Sequence, residues 1–172
     1  MAVLPIITAP DARLKAKSQA VPAVDDAVRR LLGDMLETMY AAPGVGLSAI
    51  QVGVAKRLIV TDPARGDEPA RPLCLVNPTR VWQSEELATI EEGCLSLPEH
   101  YDDVERPARI RVRFLDQHGK QQELEADGLL ARCILHEMDH LEGVLFVDHL
   151  STVKRSMILR KLVKARRQQA SA

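Results

Sequence analysis

The sequence predicts an α+β fold: short antiparallel strands packed around a central helix, with an N-terminal helix before them and an amphipathic C-terminal helix after. Three observations predict it. Apolar side chains recur at helical spacing near residues 26–40, 128–142 and 152–167. Residues 109–114 alternate in period two, with Ile110, Val112 and Phe114 facing one way and Arg109, Arg111 and Arg113 the other. Asp116–Gly119 then reads as a hairpin turn into a polar strand near Gln121–Glu125.

Taken in order, Asp25 or Asp26 caps a helix running to about Tyr40, with Val28, Leu31, Leu32, Met35, Leu36 and Met39 on its apolar face. Ala42-Pro43-Gly44 ends it. In Gly44-Val45-Gly46-Leu47-Ser48-Ala49-Ile50-Gln51, small residues surround one long polar side chain. Leu58–Val60 and Leu73–Val76 read as strands separated by a Pro/Gly/Asp-rich loop at 62–72. Asp127 is the expected N-cap of the central helix and Gly143 its stop. The last helix, from Thr152 to about Arg167, is expected to dock through Val153, Met157, Leu159, Leu162 and Val163. At 172 residues the chain reads as one domain, residues 1–150 forming a catalytic body and 151–172 a basic helix belonging to it.

Composition narrows the function classes. Hydrophobic content of 46% and charged content of 27% are ordinary for a globular protein, and with aromatics at 3% the core must be built from Leu, Val, Ile and Ala. No apolar run approaches the roughly 18 residues of a membrane span. The first 13 residues have no basic stretch, and Pro5 and Pro10 interrupt their apolar segment, so no signal peptide is expected. Cys74, Cys94 and Cys133 are too few and scattered for a disulfide framework, which fits a reducing cytoplasm. The net charge of −1 is uneven: residues 151–172 hold seven bases and no acid, leaving 16 bases against 24 acids in the rest. That tail is either a solvated helix end or a contact for a polyanion.

His136-Glu137-Met138-Asp139-His140 carries the chemistry. Residues four apart on a helix lie one turn above each other, so His136 and His140 can grip one metal ion, with Glu137 beside it to handle protons. A catalytic metal site needs a third protein ligand. The downstream pattern of one protease class fails because Phe146 stands at the last ligand position, and after Glu142 the only acid left is Asp148. Upstream, Glu91-Glu92-Gly93-Cys94-Leu95-Ser96-Leu97-Pro98 offers a thiolate, a strong and soft ligand. Cys94 is favoured over Cys133, because a ligand from a second segment closes a tetrahedron better than one from the same helix face. Cys133 then becomes a pocket wall. Glu92 is a candidate to orient a ligand, Glu91 a solvated neighbour, and Asp139 a support from behind. His100, His118 and His149 read as loop, turn and structural residues.

Together, Gly44–Gln51, Glu92-Gly93-Cys94-Leu95-Ser96 and His136–Gly143 resemble, in order and spacing, the peptide deformylase family. The likeness runs from about residue 4 to 150. It implies a hydrolase that removes the N-formyl group from the initiator N-formylmethionine of nascent polypeptides. It implies Cys94, His136 and His140 as metal ligands and Glu137 as the residue that takes a proton from water and passes it to the leaving amine. Gln51 and the backbone N–H of Leu95 would stabilise the oxyanion. Val45, Ile90, Leu129 and Cys133 match positions lining the methionine pocket, and Gly46, Gly93 and Arg132 complete the expected substrate-binding set. The implied cofactor is one divalent ion, Fe2+ foremost, with Ni2+, Co2+ or Zn2+ as substitutes. The implied partners are N-formylmethionyl peptides and, through the C-terminal helix, the ribosome, with no membrane and no DNA.

The chain departs from that pattern at Ser48, Leu135, Arg132 and Tyr101. Ser48 and Leu135 stand for an Ala and a Gln. Leu135 is expected to face the core or to sit just behind the ligands. Arg132 replaces an aliphatic pocket residue and either rims the pocket or extends to solvent. Tyr101 falls near a substrate-contacting Arg. Two alternatives follow: a related amidase with shifted acyl or peptide preference, and a ribosome-binding protein with an idle metal site.

Overall fold

A computed structural model describes residues 1–171. Asp25 caps the first helix, α1 (Asp26–Ala41), its carboxylate accepting from Val28 N–H. After four intervening residues the chain enters β1 (Gly46–Ser48), then a single 3₁₀ turn over Ala49–Val52 and β2 (Leu58–Thr61). β3 (Leu73–Gln83), β4 (Leu87–Cys94), β5 (Leu97–Pro107), β6 (Arg109–Leu115) and β7 (Gln121–Asp127) follow, then α2 (Gly128–Leu141) and α3 (Thr152–Ser171). The strands form an antiparallel five-stranded sheet in the order β1-β2-β3-β6-β7 and a separate β4–β5 hairpin.

Side-chain alternation explains the layering. Leu58, Val60, Cys74 and Val76 pack with Val28, Leu32, Met35 and Met39 of α1. The intervening Ile59 and Leu75 join Ile110, Val112, Phe114 and Ala126 against Ala131, Ile134 and Leu135 of α2. β2 and β3 are therefore covered on both faces, which is why their sequences read as unbroken apolar runs rather than alternating ones. Each fully buried Leu, Ile or Val contributes about 1.5–3 kcal/mol. α2 is thus the central helix, and Leu135 faces the core, 4% exposed.

The structure corrects several expectations. β3 and β5 are 11 residues each, so the strands are not uniformly short, and the β4–β5 hairpin was not expected at all. His100 lies in β5 rather than in a loop. Asp127 occupies the N-cap position of α2, but its side chain makes no capping bond. Gly143 does stop α2: it takes φ +74°, and a side chain there would strike the Lys15 carbonyl. α3 runs past Arg167 to Ser171 and docks through Ile158, Leu159 and Leu162, whereas Val153 and Met157 stay exposed.

Candidate metal centre and cleft

α2 turns its second face toward the β4–β5 hairpin. His136 and His140, one turn apart, are both buried, their ring centroids 5.1 Å apart. Cys94 ends β4, where a register shift between Gly93 and Cys94 breaks the pairing just before the turn. The ligand atoms of Cys94, His136 and His140 lie within 4.8 Å of one another, with Cys94 Sγ 3.3 Å from His140 Nε2. Cys133 stays out of this group, its Sγ donating to Val45 O at 3.2 Å. Burial pushes the Cys133 thiol well up, so it is a neutral wall.

Glu92 fixes the His136 imidazole. His136 Nδ1 lies 3.0 Å from Glu92 Oε1, so the ring N–H points there and Nε2 keeps its lone pair for the site. Glu92 is held by Arg106 through Nε at 2.6 Å and Nη2 at 2.9 Å, and Arg106 reaches on to Asp139 Oδ2 at 2.8 Å. Asp139 also meets His149 Nε2 at 2.8 Å, which gives that histidine its structural place. Burial works to raise the Glu92 pKa, but the His136 and Arg106 bonds hold it well below the usual range.

Whether these residues suit a metal can be tested on the atoms left over. Glu137 Oε2 and His140 Nδ1 are buried with no hydrogen-bond partner among the described residues. A buried carboxylate oxygen without a donor is costly, and a water held by a metal would supply one. One thiolate with two imidazoles suits Fe2+, Zn2+ or a neighbouring divalent ion. The donor set fits. Burial also pushes the Glu137 carboxyl up to about 7 and drives His140 well down. For His136 burial works downward, but Cys94 and Glu92 outweigh it and the net shift is well up.

A cleft of about 710 Å³ opens beside these groups, the size of a small-ligand site. Val45, Gly46, Ile90, Gly93, Leu129, Arg132 and Cys133 line it, as do Cys94, Leu95, His136 and Glu137. Gly46 is required by close approach: a Cβ there would lie 2.5 Å from Cys133 Sγ and 3.1 Å from Glu137. Gln51 and His140 are not on its wall and meet the site through Cys94, at 3.7 and 3.3 Å from its Sγ. The Gln51 amide is oriented: its Oε1 accepts from Ser48 N and Ser48 Oγ, both at 2.9 Å, so its Nε2 faces Cys94 and donates to Ser96 Oγ at 3.1 Å. The Ser48 hydroxyl therefore has a partner. Arg132 lines the cleft neither as a free rim cation nor as a solvated one, because its guanidinium is bonded inward. Sequence reasoning missed Ser96 and Arg106; the alternation of Val104 and Arg106 with exposed Asp103 and Glu105 was the available signal.

A buried carboxylate beside a cysteine and two histidines, at the wall of a cleft, is an arrangement suited to a metal-dependent amidohydrolase. Comparison with known proteins narrows that class to one family. The family model described as polypeptide deformylase matches residues 3–156. A curated peptide deformylase of Phenylobacterium zucineum is 57% identical over 164 residues, covering 95% of this chain and 97% of its own length. Crystal structures of the peptide deformylase of Ehrlichia chaffeensis superpose with TM-scores of 0.94 (42% identity, 98% of this chain and 99% of that one) and 0.92 (44%, 96% and 98%), the latter in complex with actinonin. The chain belongs to the polypeptide deformylase family, and it is an enzyme that removes formyl groups from nascent peptides.

Proposed function

We propose that the chain hydrolyses the formyl amide of N-formylmethionyl peptides in this cleft, releasing formate, with Cys94, His136 and His140 holding one divalent ion. The observation that supports this most is the meeting of those three side chains beside Glu137, whose Oε2 has no hydrogen-bond partner among the described residues. Bound there, the ion supplies a Lewis acid and brings the pKa of water towards about 7. Glu137 takes the proton of the attacking water and delivers it to the leaving amine, a double task suited to a carboxyl whose pKa burial has raised to about 7. Gln51 Nε2 and the Leu95 N–H stabilise charge developing on the formyl oxygen, where losing one such donor typically costs ~2.7–4 kcal/mol. Val45, Gly46, Ile90, Gly93, Leu129, Arg132 and Cys133 receive the methionine side chain and its backbone.

Fe2+ is the ion we favour, and the exposure of an iron thiolate to oxidation favours a reducing cytoplasm. Among the described residues no helix is long and apolar enough to cross a membrane. We further propose that residues 1–150 form the catalytic body and that 151–172 belong to the same domain, which the burial of Leu162 supports. The cations of α3 are offered to the ribosome: Lys154 and Arg155 pair with Asp102 and Asp148, whereas Arg160, Lys161, Lys164, Arg166 and Arg167 have no carboxylate partner among the described residues. Truncation at 151 should weaken ribosome affinity, and salt should weaken it in the intact chain; affinity indifferent to both refutes the docking role. For the chemistry, anaerobically purified, iron-loaded protein should release formate from a formyl-Met-Ala-Ser peptide, and Glu137→Ala, still loaded, should not. Absence of release from folded, loaded protein refutes the proposal.

A further inference from the structure

The hydrolysis just described uses Arg132 only as part of the wall that receives methionine, yet its guanidinium makes three hydrogen bonds of its own. Arg132 sits on α2 one turn before His136 and is 7% exposed. Its Nη1 donates to Glu92 Oε2 and to Val104 O, each at 2.7 Å, and its Nη2 donates to Ala88 O at 2.7 Å. All three acceptors belong to the β4–β5 hairpin: Ala88 and Glu92 on β4, Val104 on β5. β4 ends at Cys94, and the other oxygen of Glu92 faces His136 Nδ1.

We propose that Arg132 is a positioning residue for the metal centre: it ties the hairpin that carries Cys94 to the helix that carries both histidines, and it fixes Glu92 against His136. The proposal rests on the reading of Cys94, His136 and His140 as the ligands. Arg106 does not duplicate the task. It lies on β5, so its two bonds to Glu92 run within the hairpin, and it reaches α2 only through Asp139. The bonds of Arg132 all cross between the two elements. A planar guanidinium satisfies three acceptors in fixed directions, which one ammonium cannot reproduce. With its charge turned to the hairpin, the side chain offers the cleft its apolar stem, so an arginine stands in a pocket wall without presenting a cation to methionine.

The test uses full-length protein loaded with Co2+, comparing wild type with Arg132→Met, which keeps apolar bulk at the wall, and Arg132→Lys. The thiolate-to-metal absorption band, metal release to a chelator, and kcat and KM are read separately. Arg132→Met should fold, release metal faster, in keeping with the roughly 10–100-fold loss of affinity when a group that orients a ligand is lost, and show an altered thiolate band. Arg132→Lys should fall between the two. A folded Arg132→Met with the wild-type release rate and band overturns the proposal, even if its melting temperature drops, because the residue would then be merely structural. If Arg132→Met does not fold, Arg132→Lys decides, and a wild-type release rate there overturns it. A wild type without any thiolate band would instead overturn the ligand assignment beneath it.

Discussion

The two elements that meet at the site are held in place by opposite means. α2 is seated by apolar side chains: Ala131, Ile134, Leu135 and Leu141 pack against Ile59, Leu75, Ile110 and Val112 of the sheet. Among the described residues the β4–β5 hairpin pairs with no other strand, and it is largely exposed along β4. It docks partly through Leu97 and Val104, and partly through a lattice of buried Glu92, Arg106 and Arg132 with half-buried Asp139. Apolar burial is non-directional, and it suffices for a helix whose two histidines are already fixed relative to each other by their i, i+4 spacing. A hairpin bringing Cys94 from outside has no such internal ruler. Charged hydrogen bonds, which are strong and directional, supply it.

The sharpest way to break this pairing is to remove what the hairpin brings. Cys94→Ala should weaken metal binding by roughly 10³-fold, one donor's share of a structural-site binding energy, while Cys133→Ala leaves it near wild type; competitive titration with a chelator reads both. Next comes the lattice itself. Glu92→Gln leaves the Arg106 and Arg132 charges buried without their carboxylate and should cost about 3–5 kcal/mol in urea unfolding of the metal-free protein. Metal affinity should also drop about 10–100-fold.

On the helix side the expectation differs in kind. Ile134→Ala should cost about 2–5 kcal/mol of stability by opening a cavity, yet leave metal affinity in the folded fraction close to wild type. Equal losses of affinity from Ile134→Ala and Glu92→Gln would erase the distinction drawn between helix and hairpin.

The smallest effect carries a pH signature. Burial works to raise the Asp139 pKa, but the bond from His149 and the charge of Arg106 hold it below the ordinary carboxylate range. A carboxyl whose folded pKa lies below its unfolded value of 3.8 stabilises the fold above that value. The contribution is lost as pH falls through the folded pKa. Asp139→Asn should therefore be about 1–2 kcal/mol less stable than wild type at neutral pH, and the gap should close in acid below pH 3.8. A gap that persists there would show that hydrogen bonding, not ionisation, is what Asp139 contributes.

The same contrast decides what could be read from the sequence. α2, its two histidines and Glu137 were legible because helical periodicity and a spaced motif occupy adjacent positions. The strands β2, β3 and β6 were legible because their apolar residues face the two helix layers. The hairpin was not. In β5 the buried positions alternate properly, but they hold Val104 and Arg106, and a charged residue at a buried position hides the period. Arg132 was misjudged for the same reason: a cation on a pocket face suggests solvent or substrate until its three acceptors are seen. α3 was drawn short and its face only partly read: Leu159 and Leu162 dock as expected, but Val153 and Met157 stand exposed and Ile158 was passed over. Long-range polar pairing leaves no local trace, so Glu92 appeared in the motif while its pairing with Arg106 and Arg132 could not be read.

The most direct measurement is X-ray absorption at the metal edge of zinc-loaded protein, wild type beside Cys94→Ala and Cys133→Ala. One sulfur near ~2.3 Å and two nitrogens near ~2.0–2.1 Å are expected in wild type and in Cys133→Ala, with the sulfur shell gone from Cys94→Ala. A sulfur shell that survives loss of Cys94, or vanishes with Cys133, would contradict the assignment of one ligand to the hairpin and two to the helix.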